Sequence, residues 1–253
     1  MTSFDYHHAS QKISFFQRIK SYKNVVVTYV KWFFIFRSKY KNYVNVIRSV
    51  LNNKYPIAAI LRNGETIFFS NFYDVYTNIY NLNCDMEKDI VFIDGLTFYG
   101  GKTNGDIVGV FIKKEYDCLP VKNKIVLDVG ASIGDSSIYF ILRGATKVIA
   151  LEPDLELYSL AKKNIELNGF ADKIELIRAG CSYIDRGDQV NSKPPLMTLQ
   201  TILDNYSIKP DVLKMDCEGC EYDVILSSSP HTLFNFSFLE IEYHYGYENI
   251  KKN

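Results

Sequence analysis

Asp128-Val129-Gly130-Ala131-Ser132-Ile133-Gly134-Asp135 closes the apolar run Ile125–Val129 and opens the helical pattern Ser136–Arg143, which Gly144 ends. It reads as the end of a strand, a tight turn of small residues and a helix start. Small residues let a ligand approach the backbone, and the first turn of a helix offers unbonded N–H groups. The same alternation continues downstream. Lys147–Leu151 reads as a strand, and Asp154–Asn168 as a helix capped by Asp154 and closed by Gly169. Ile174–Arg178, Val212–Met215 and Phe236–Tyr243 read as strands, with helices at Thr198–Tyr206 and Glu221–Ser227. Residues 183–197 are polar, contain Pro194-Pro195 and read as loop. Strands separated by helices make βαβ units, hence an α/β domain with a parallel sheet, right-handed crossovers and ligands at the strands' carboxyl ends.

Glu152 ends the second of these strands, 22 residues after Gly130. A carboxylate there can accept both hydroxyls of a ribose, so turn and acid together point to an adenosine-containing cofactor. The plainer alternative is a tight turn and a capping acid. A dinucleotide fold asks for G-x-G-x-x-G, but Ser132 and Asp135 occupy the second and third glycine positions. An acid where a pyrophosphate would sit repels it, whereas it suits the sulfonium and amino groups of S-adenosylmethionine (SAM). SAM is therefore expected over NAD. The candidate cofactor residues are Asp128, Gly130, Ala131, Ser132, Gly134, Asp135, Glu152, Pro153, Ala179 and Asp216.

A second motif runs from Asp211 through Lys214, Asp216, Cys217, Glu218, Gly219 and Cys220 to Glu221. Its apolar strand delivers Asp216 and Glu218 to the sheet's carboxyl edge. Acids placed so close are costly unless a cation or a substrate hydroxyl uses them. Asp216 as a helix N-cap and Glu221 as a first-turn helix acid are the structural alternatives. Cys217 and Cys220 read as packing thiols rather than a redox pair. A third motif, Glu240-Ile241-Glu242-Tyr243-His244, ends the last strand and puts Glu240, Glu242 and His244 on one face. Asp216 and His244 are the candidate general bases, with Glu218 and Glu242 to orient them. A surface histidine is the alternative for His244. A metal held by Asp216, Glu218, Glu242 and His244 is a lesser option, and none is expected.

The 253 residues suffice for a full core, and 47% apolar with 23% charged residues excludes a disordered chain. The zero net charge is a cancellation. Residues 1–62 hold 11 Lys/Arg and one acid, whereas residues 63–253 hold 18 Lys/Arg and 28 Asp/Glu. Five cysteines, an odd number in a chain of this size, argue against a secreted disulfide scaffold. No second Cys or His pair completes a zinc site around Cys217 and Cys220. The start of the chain lacks a signal-peptide pattern, and the longest apolar stretch, Val25 to Phe36, is too short to span a membrane. A cytoplasmic location follows as the expectation.

Residues 10–53 contain no Gly or Pro and read as helix, rich in aromatic and basic side chains. They are a candidate membrane-surface segment, the alternative being packing against the acidic domain; nucleic acid is not an expected partner. Asn63-Gly64 between Ile57–Leu61 and Ile67–Phe69 signals a hairpin. Ser70 can cap a helix reaching Leu82, and Ile90–Ile93 and Ile107–Ile112 read as strands. The organisation expected is a basic helical extension over 1–55, a hairpin and helix region over 56–122 and the cofactor domain over 123–253.

With DVGASIGD, LEP followed by KKNIELNG, TLQTILDNY, DVLKMDCEGCEYDVI and FLEIEYH, the chain resembles the FkbM family of SAM-dependent methyltransferases over about residues 55–248. The resemblance implies a Rossmann-like class I methyltransferase fold and O-methylation of a hydroxyl on a sugar, glycolipid or similar small molecule. It places Gly130, Ser132, Gly134 and Glu152 at the SAM site, and Lys214, Asp216, Glu218, Glu221, Glu242 and His244 near the transfer site. One departure is that this fold usually ends with two more strands, whereas nine residues follow His244. The strand over 236–243 is then an exposed sheet edge, to be covered by the N-terminal segment or by a partner such as a second copy, unless the chain is a truncated relative. The alternatives to an enzyme of this class are a non-catalytic SAM-fold module and an NAD-dependent enzyme.

Overall fold

A computed structural model describes residues 30–85, 87–101, 106–187, 193–206 and 209–242. The helix expected over residues 10–29 and the candidate base His244 lie outside these ranges. The chain forms two compact units that divide between Ile79 and Tyr80, inside the region expected to run from 56 to 122.

In the first unit, helix α1 (residues 30–39) is followed by α2 (Tyr43–Leu51), β1 (Ile57–Ile60), β2 (Thr66–Phe69) and α3 (Phe72–Ile79). β1 and β2 pair antiparallel, as the Asn-Gly signal predicts. Gly64 takes a φ of 99°, and Asn63 Oδ1 accepts the Glu65 N–H at 2.9 Å. The single helix expected through residue 53 is interrupted at residues 40–42. Asn42 Oδ1 accepts the Ile60 N–H at 2.9 Å, and its Nδ2 donates to Ala58 O at 2.8 Å. Two bonds to a neighbouring strand outweigh the small propensity for continued helix. The start of α3 is held by Asn71 rather than Ser70: Asn71 Oδ1 accepts the Asp74 N–H at 3.1 Å.

The second unit opens with β3 (Asn83–Asp85), β4 (Ile90–Ile93) and β5 (Leu96–Tyr99), an antiparallel sheet in that order. The run Ile107–Ile112, expected as a strand, forms a π-helical turn over Val108–Lys113. Val108, Val110 and Phe111 are all buried there, and a short apolar run buried on every side has no period to separate strand from helix. Phe111 packs between Phe98 and Tyr139, with ring centroids 5.4 and 5.3 Å away.

The alternating part then builds β6 (Ile125–Val129), α4 (Asp135–Leu142), β7 (Lys147–Leu151), α5 (Leu155–Leu167) and β8 (Ile174–Ile177). Two short strands, β9 (Gly180–Cys181) just before the stretch expected as loop and β10 (Leu196–Met197) at its end, pair parallel. After them come α6 (Leu199–Tyr206), β11 (Val212–Met215), α7 (Glu221–Ser227), α8 (Pro230–Leu233) and β12 (Phe238–Ile241). The central sheet has the order β12-β11-β6-β7-β8, with every pair parallel.

This is the expected Rossmann-like α/β architecture. Val126 and Val148 face one buried layer while Leu127, Ile149 and Leu213 face the other, so these strands are apolar on both faces apart from Asp128, Lys147 and Lys214. The chain leaves β6 on one side through β7 and β8, then returns on its other side with β11. A sheet opens a crevice at such a reversal, beyond the carboxyl ends of its strands. Among the described residues β12 pairs with β11 alone, so it is a sheet edge, and Phe238 and Leu239 are exposed.

Candidate functional site

The turn after β6 is latched to the end of β7. The N–H groups of Gly130 and Ala131 both donate to Leu151 O, at 3.0 and 2.9 Å. Gly130 has a φ of 80°, and a Cβ on it would stand 1.8 Å from Asp216 O, so only glycine lets β6 and β11 end side by side. Ser132 donates its N–H to Glu152 Oε2 at 2.9 Å and its hydroxyl to Asp106 Oδ2 at 3.1 Å. Glu152 Oε1 accepts the Asp154 N–H, also at 2.9 Å. Gly134, at a φ of 83°, lets the start of α4 pass close to Ala161 on α5.

Behind this turn lies a buried charge cluster. The parallel register sets Lys214 on β11 beside Asp128 on β6. Lys214 Nζ is 3.1 Å from Asp128 Oδ1 and donates to Gly130 O at 2.6 Å. Asp128 Oδ2 accepts the hydroxyls of Ser136 and Ser137, both at 2.6 Å. Asp135 is buried, and among the described residues its Oδ2 has no hydrogen-bond partner. Burial first, and the Asp106 carboxylate second, push the Asp135 acid well above the usual carboxylate range. Burial pushes Asp106 and Glu152 in the same direction, while bonds from Ser132 pull both back. Tyr116 donates its hydroxyl to Asp216 Oδ2 at 3.1 Å, and burial together with the Asp216 charge raises its phenol.

The crevice itself is a cleft of about 580 Å³. Of the expected site residues, Gly130, Ser132, Glu152, Pro153, Ala179, Asp216 and Glu218 line it. Asp128, Ala131, Gly134 and Asp135 do not. Asp128 spends its oxygens on Lys214 and two serines, and the others pack inward as α4 begins. Glu242 is exposed beyond β12, its N–H donating to Met215 O at 2.8 Å, and it does not line the cleft.

Residues 128–251 match the model of the methyltransferase FkbM domain. Over this segment the chain is similar to the FkbM methyltransferase family. The match starts at Asp128, the residue that opens the glycine turn. Uncharacterized protein 158B of Sulfolobus islandicus rod-shaped virus 1 is 30% identical to the chain over 112 residues, 44% of this chain and 58% of that protein. Protein arginine N-methyltransferase 1 of Saccharomyces cerevisiae is 46% identical over 57 residues, 22% of this chain and 16% of the yeast protein. Among solved structures, the Trypanosoma brucei PRMT1 enzyme-prozyme complex with AdoHcy is 26% identical with a TM-score of 0.28, covering 42% of this chain and 27% of its own. The chain thus spans less than two thirds of the length of each of these relatives.

Several residues lining the cleft carry no signal in the sequence. Asp106 precedes the alternating pattern and is brought in by the segment before the π-helical turn. Gly180, Cys181 and Leu196 reach the cleft because β9 and β10 pair. A Cβ on Gly180 would come within 2.8 Å of Leu196 Cδ2. Burial pushes the Cys181 thiol up to about 12, so it stays protonated there. Cys217 and Cys220, expected as separate packing thiols, are joined as a disulfide and both line the cleft. The turn between them closes the gap: Glu218 takes a φ of 56° and Gly219 one of 121°. Glu221 anchors that turn by accepting the N–H groups of Cys217 and Gly219, at 2.8 and 2.9 Å. This matches its reading as a first-turn helix acid. Among the described residues no group of three or more His, Cys, Asp or Glu is arranged to hold a metal ion, and no helix is long and apolar enough to cross a membrane.

Proposed function

We propose that this protein transfers the methyl group of SAM to a hydroxyl of a sugar, a glycolipid or a similar small molecule. The observation that carries the cofactor reading is the cleft wall. Asp106, Glu152, Asp216 and Glu218 line it, and among the described residues no Lys, Arg or His does. Such a wall attracts a ligand bearing sulfonium and ammonium charge and repels a pyrophosphate.

When bound, SAM supplies an activated methyl carbon and a neutral leaving group. The chain's own residues then have three tasks. Glu152 holds the ribose: each of its oxygens already accepts one backbone N–H and can accept one further bond. The walls of the cleft align the acceptor and exclude water, the main source of rate in an in-line displacement. Asp216, held by Tyr116 at the end of β11, takes the proton from the acceptor hydroxyl as the new C–O bond forms. A base so placed contributes roughly 10²–10⁴-fold. The choice of a hydroxyl rests on the likeness of residues 128–251 to the FkbM methyltransferase domain.

The test is titration calorimetry with SAM and with NAD, followed by transfer of labelled methyl to glycans, glycolipids and an arginine-containing peptide. SAM binds, Glu152→Ala weakens it by about 1.5–3 kcal/mol through loss of a charged acceptor, and label enters a hydroxyl acceptor. Binding of NAD in place of SAM refutes the cofactor. Label found only on peptide nitrogen refutes O-transfer. Tight SAM binding with no transfer to any acceptor identifies a non-catalytic module.

A further inference from the structure

We infer that the first unit is a docking surface for anionic lipid, a role independent of methyl transfer. Helices α1, α2 and α3 surround an open apolar groove of about 620 Å³. Among the described residues its walls are apolar side chains alone, chief among them Trp32, Phe33, Phe36, Val50, Leu51 and Phe72. Trp32 stacks on Phe72 with ring centroids 5.8 Å apart. Beside the groove, Phe34 is 60% exposed. Lys31, Arg37, Lys41, Arg48 and Lys54 on the same two helices and the turns that follow them are exposed too. Residues 30–62 contain seven Lys or Arg and no Asp or Glu.

Aromatic and aliphatic side chains together with cations, on helices of which none among the described residues is long and apolar enough to span, are the pattern of a segment that lies in the membrane interface. Charge selects among possible occupants. A second copy would bring the same basic surface against itself. Residues 1–29 carry four Lys or Arg and one acid, so they too are repelled. A nucleic acid satisfies the cations, but its bases present hydrogen-bonding edges that an apolar wall leaves unpaired. An anionic lipid satisfies both features, with its headgroup on the cations and its acyl chain in the groove.

Trp32 is the chain's single tryptophan, so its fluorescence reports the groove directly. The full chain is mixed with vesicles of phosphatidylcholine alone and of phosphatidylcholine with phosphatidylglycerol, and binding is followed by co-sedimentation and Trp emission. Anionic vesicles shift the emission to the blue and sediment the protein, and added salt reverses this. Lys31→Gln and Arg37→Gln each weaken binding about fivefold, as expected for one basic residue at a charged surface. Phe34→Ser, a change at an exposed position, weakens it without altering the emission of the free protein. Absence of binding to anionic vesicles overturns the inference. So do equal binding to both vesicle types, a blue shift produced only by self-association at high protein concentration, and one produced by single-stranded RNA but not by lipid.

Discussion

Lys214 Nζ lies 3.1 Å from Asp128 Oδ1, and the two side chains are 3% and 0% exposed. The pair joins the strand that carries the glycine turn to the strand that carries Asp216, and the same ammonium holds Gly130 O. Burial lowers the Lys214 affinity for its proton, but Asp128 and then Asp216 more than offset it, so the group is held above its ordinary value of 10.5. Lys214→Met leaves Asp128 buried without a counter-charge and costs about 3–5 kcal/mol, read from urea unfolding. A loss below about 1 kcal/mol would sink this account of the pair. The sign of the pH effect follows from the raised value. The contribution is complete below the unfolded lysine value and is lost only as pH rises through the higher folded one.

Asp135 works in the opposite sense for stability. Its folded value is far above the ordinary 3.8, because burial and the Asp106 carboxylate disfavour the charged form. The folded chain therefore holds this proton more tightly than the unfolded chain. Stability falls as pH rises from the unfolded value toward the folded one. Asp135→Asn removes the penalty, so it raises the melting temperature more at pH 8 than at pH 4. Equal gains at the two pH values would show that the acid is not strained in the fold.

Gly130 and Gly169 both have positive φ, 80° and 77°, yet they should respond differently to alanine. At Gly169 nothing lies within 4 Å of an added Cβ, so Gly169→Ala costs only the backbone term, about 1–2 kcal/mol. At Gly130 the Cβ meets Asp216 O at 1.8 Å, which forces the ends of β6 and β11 apart. Gly130→Ala is expected to abolish SAM binding in calorimetry, whereas Gly169→Ala keeps it. Unaltered affinity in Gly130→Ala would separate the cleft from the cofactor site.

Asp216 and Tyr116 share one hydrogen bond but not one role. Asp216→Asn removes the proposed base and lowers kcat by roughly 10²–10⁴-fold. Tyr116→Phe removes only the bond that orients it and lowers kcat by about tenfold, the value of one hydrogen bond. SAM affinity stays within a few fold in Tyr116→Phe. A loss in Tyr116→Phe as large as that in Asp216→Asn contradicts the division.

Local chemistry made much of this protein readable from its sequence. β6, β7 and β11 are mostly apolar on both faces because both faces of a parallel strand are buried, and that pattern belongs to neighbouring residues. Asp154 caps α5 by accepting N–H groups only two and three residues away. The glycine turn and Glu152 are legible for the same reason, since each sits where a strand ends. Other features depend on what faces a residue across the fold. Asp128 belongs to a motif that points to a ligand, but the register of β11 gives it Lys214 instead. Tyr116 and Asp216 meet across 100 residues, and Ser132 finds Asp106 across 26. The break in the first helix at residues 40–42 comes from strand β1, with which Asn42 exchanges two bonds. The sequence by itself determined the alternating strands and helices of the central sheet, where the glycine turn falls and that the first 62 residues are basic, because these depend on composition, periodicity and short-range bonding. Only the tertiary structure decided which acids line the cleft and which are spent on buried partners, because that follows from strand register and from contacts between distant residues, and no local pattern encodes either.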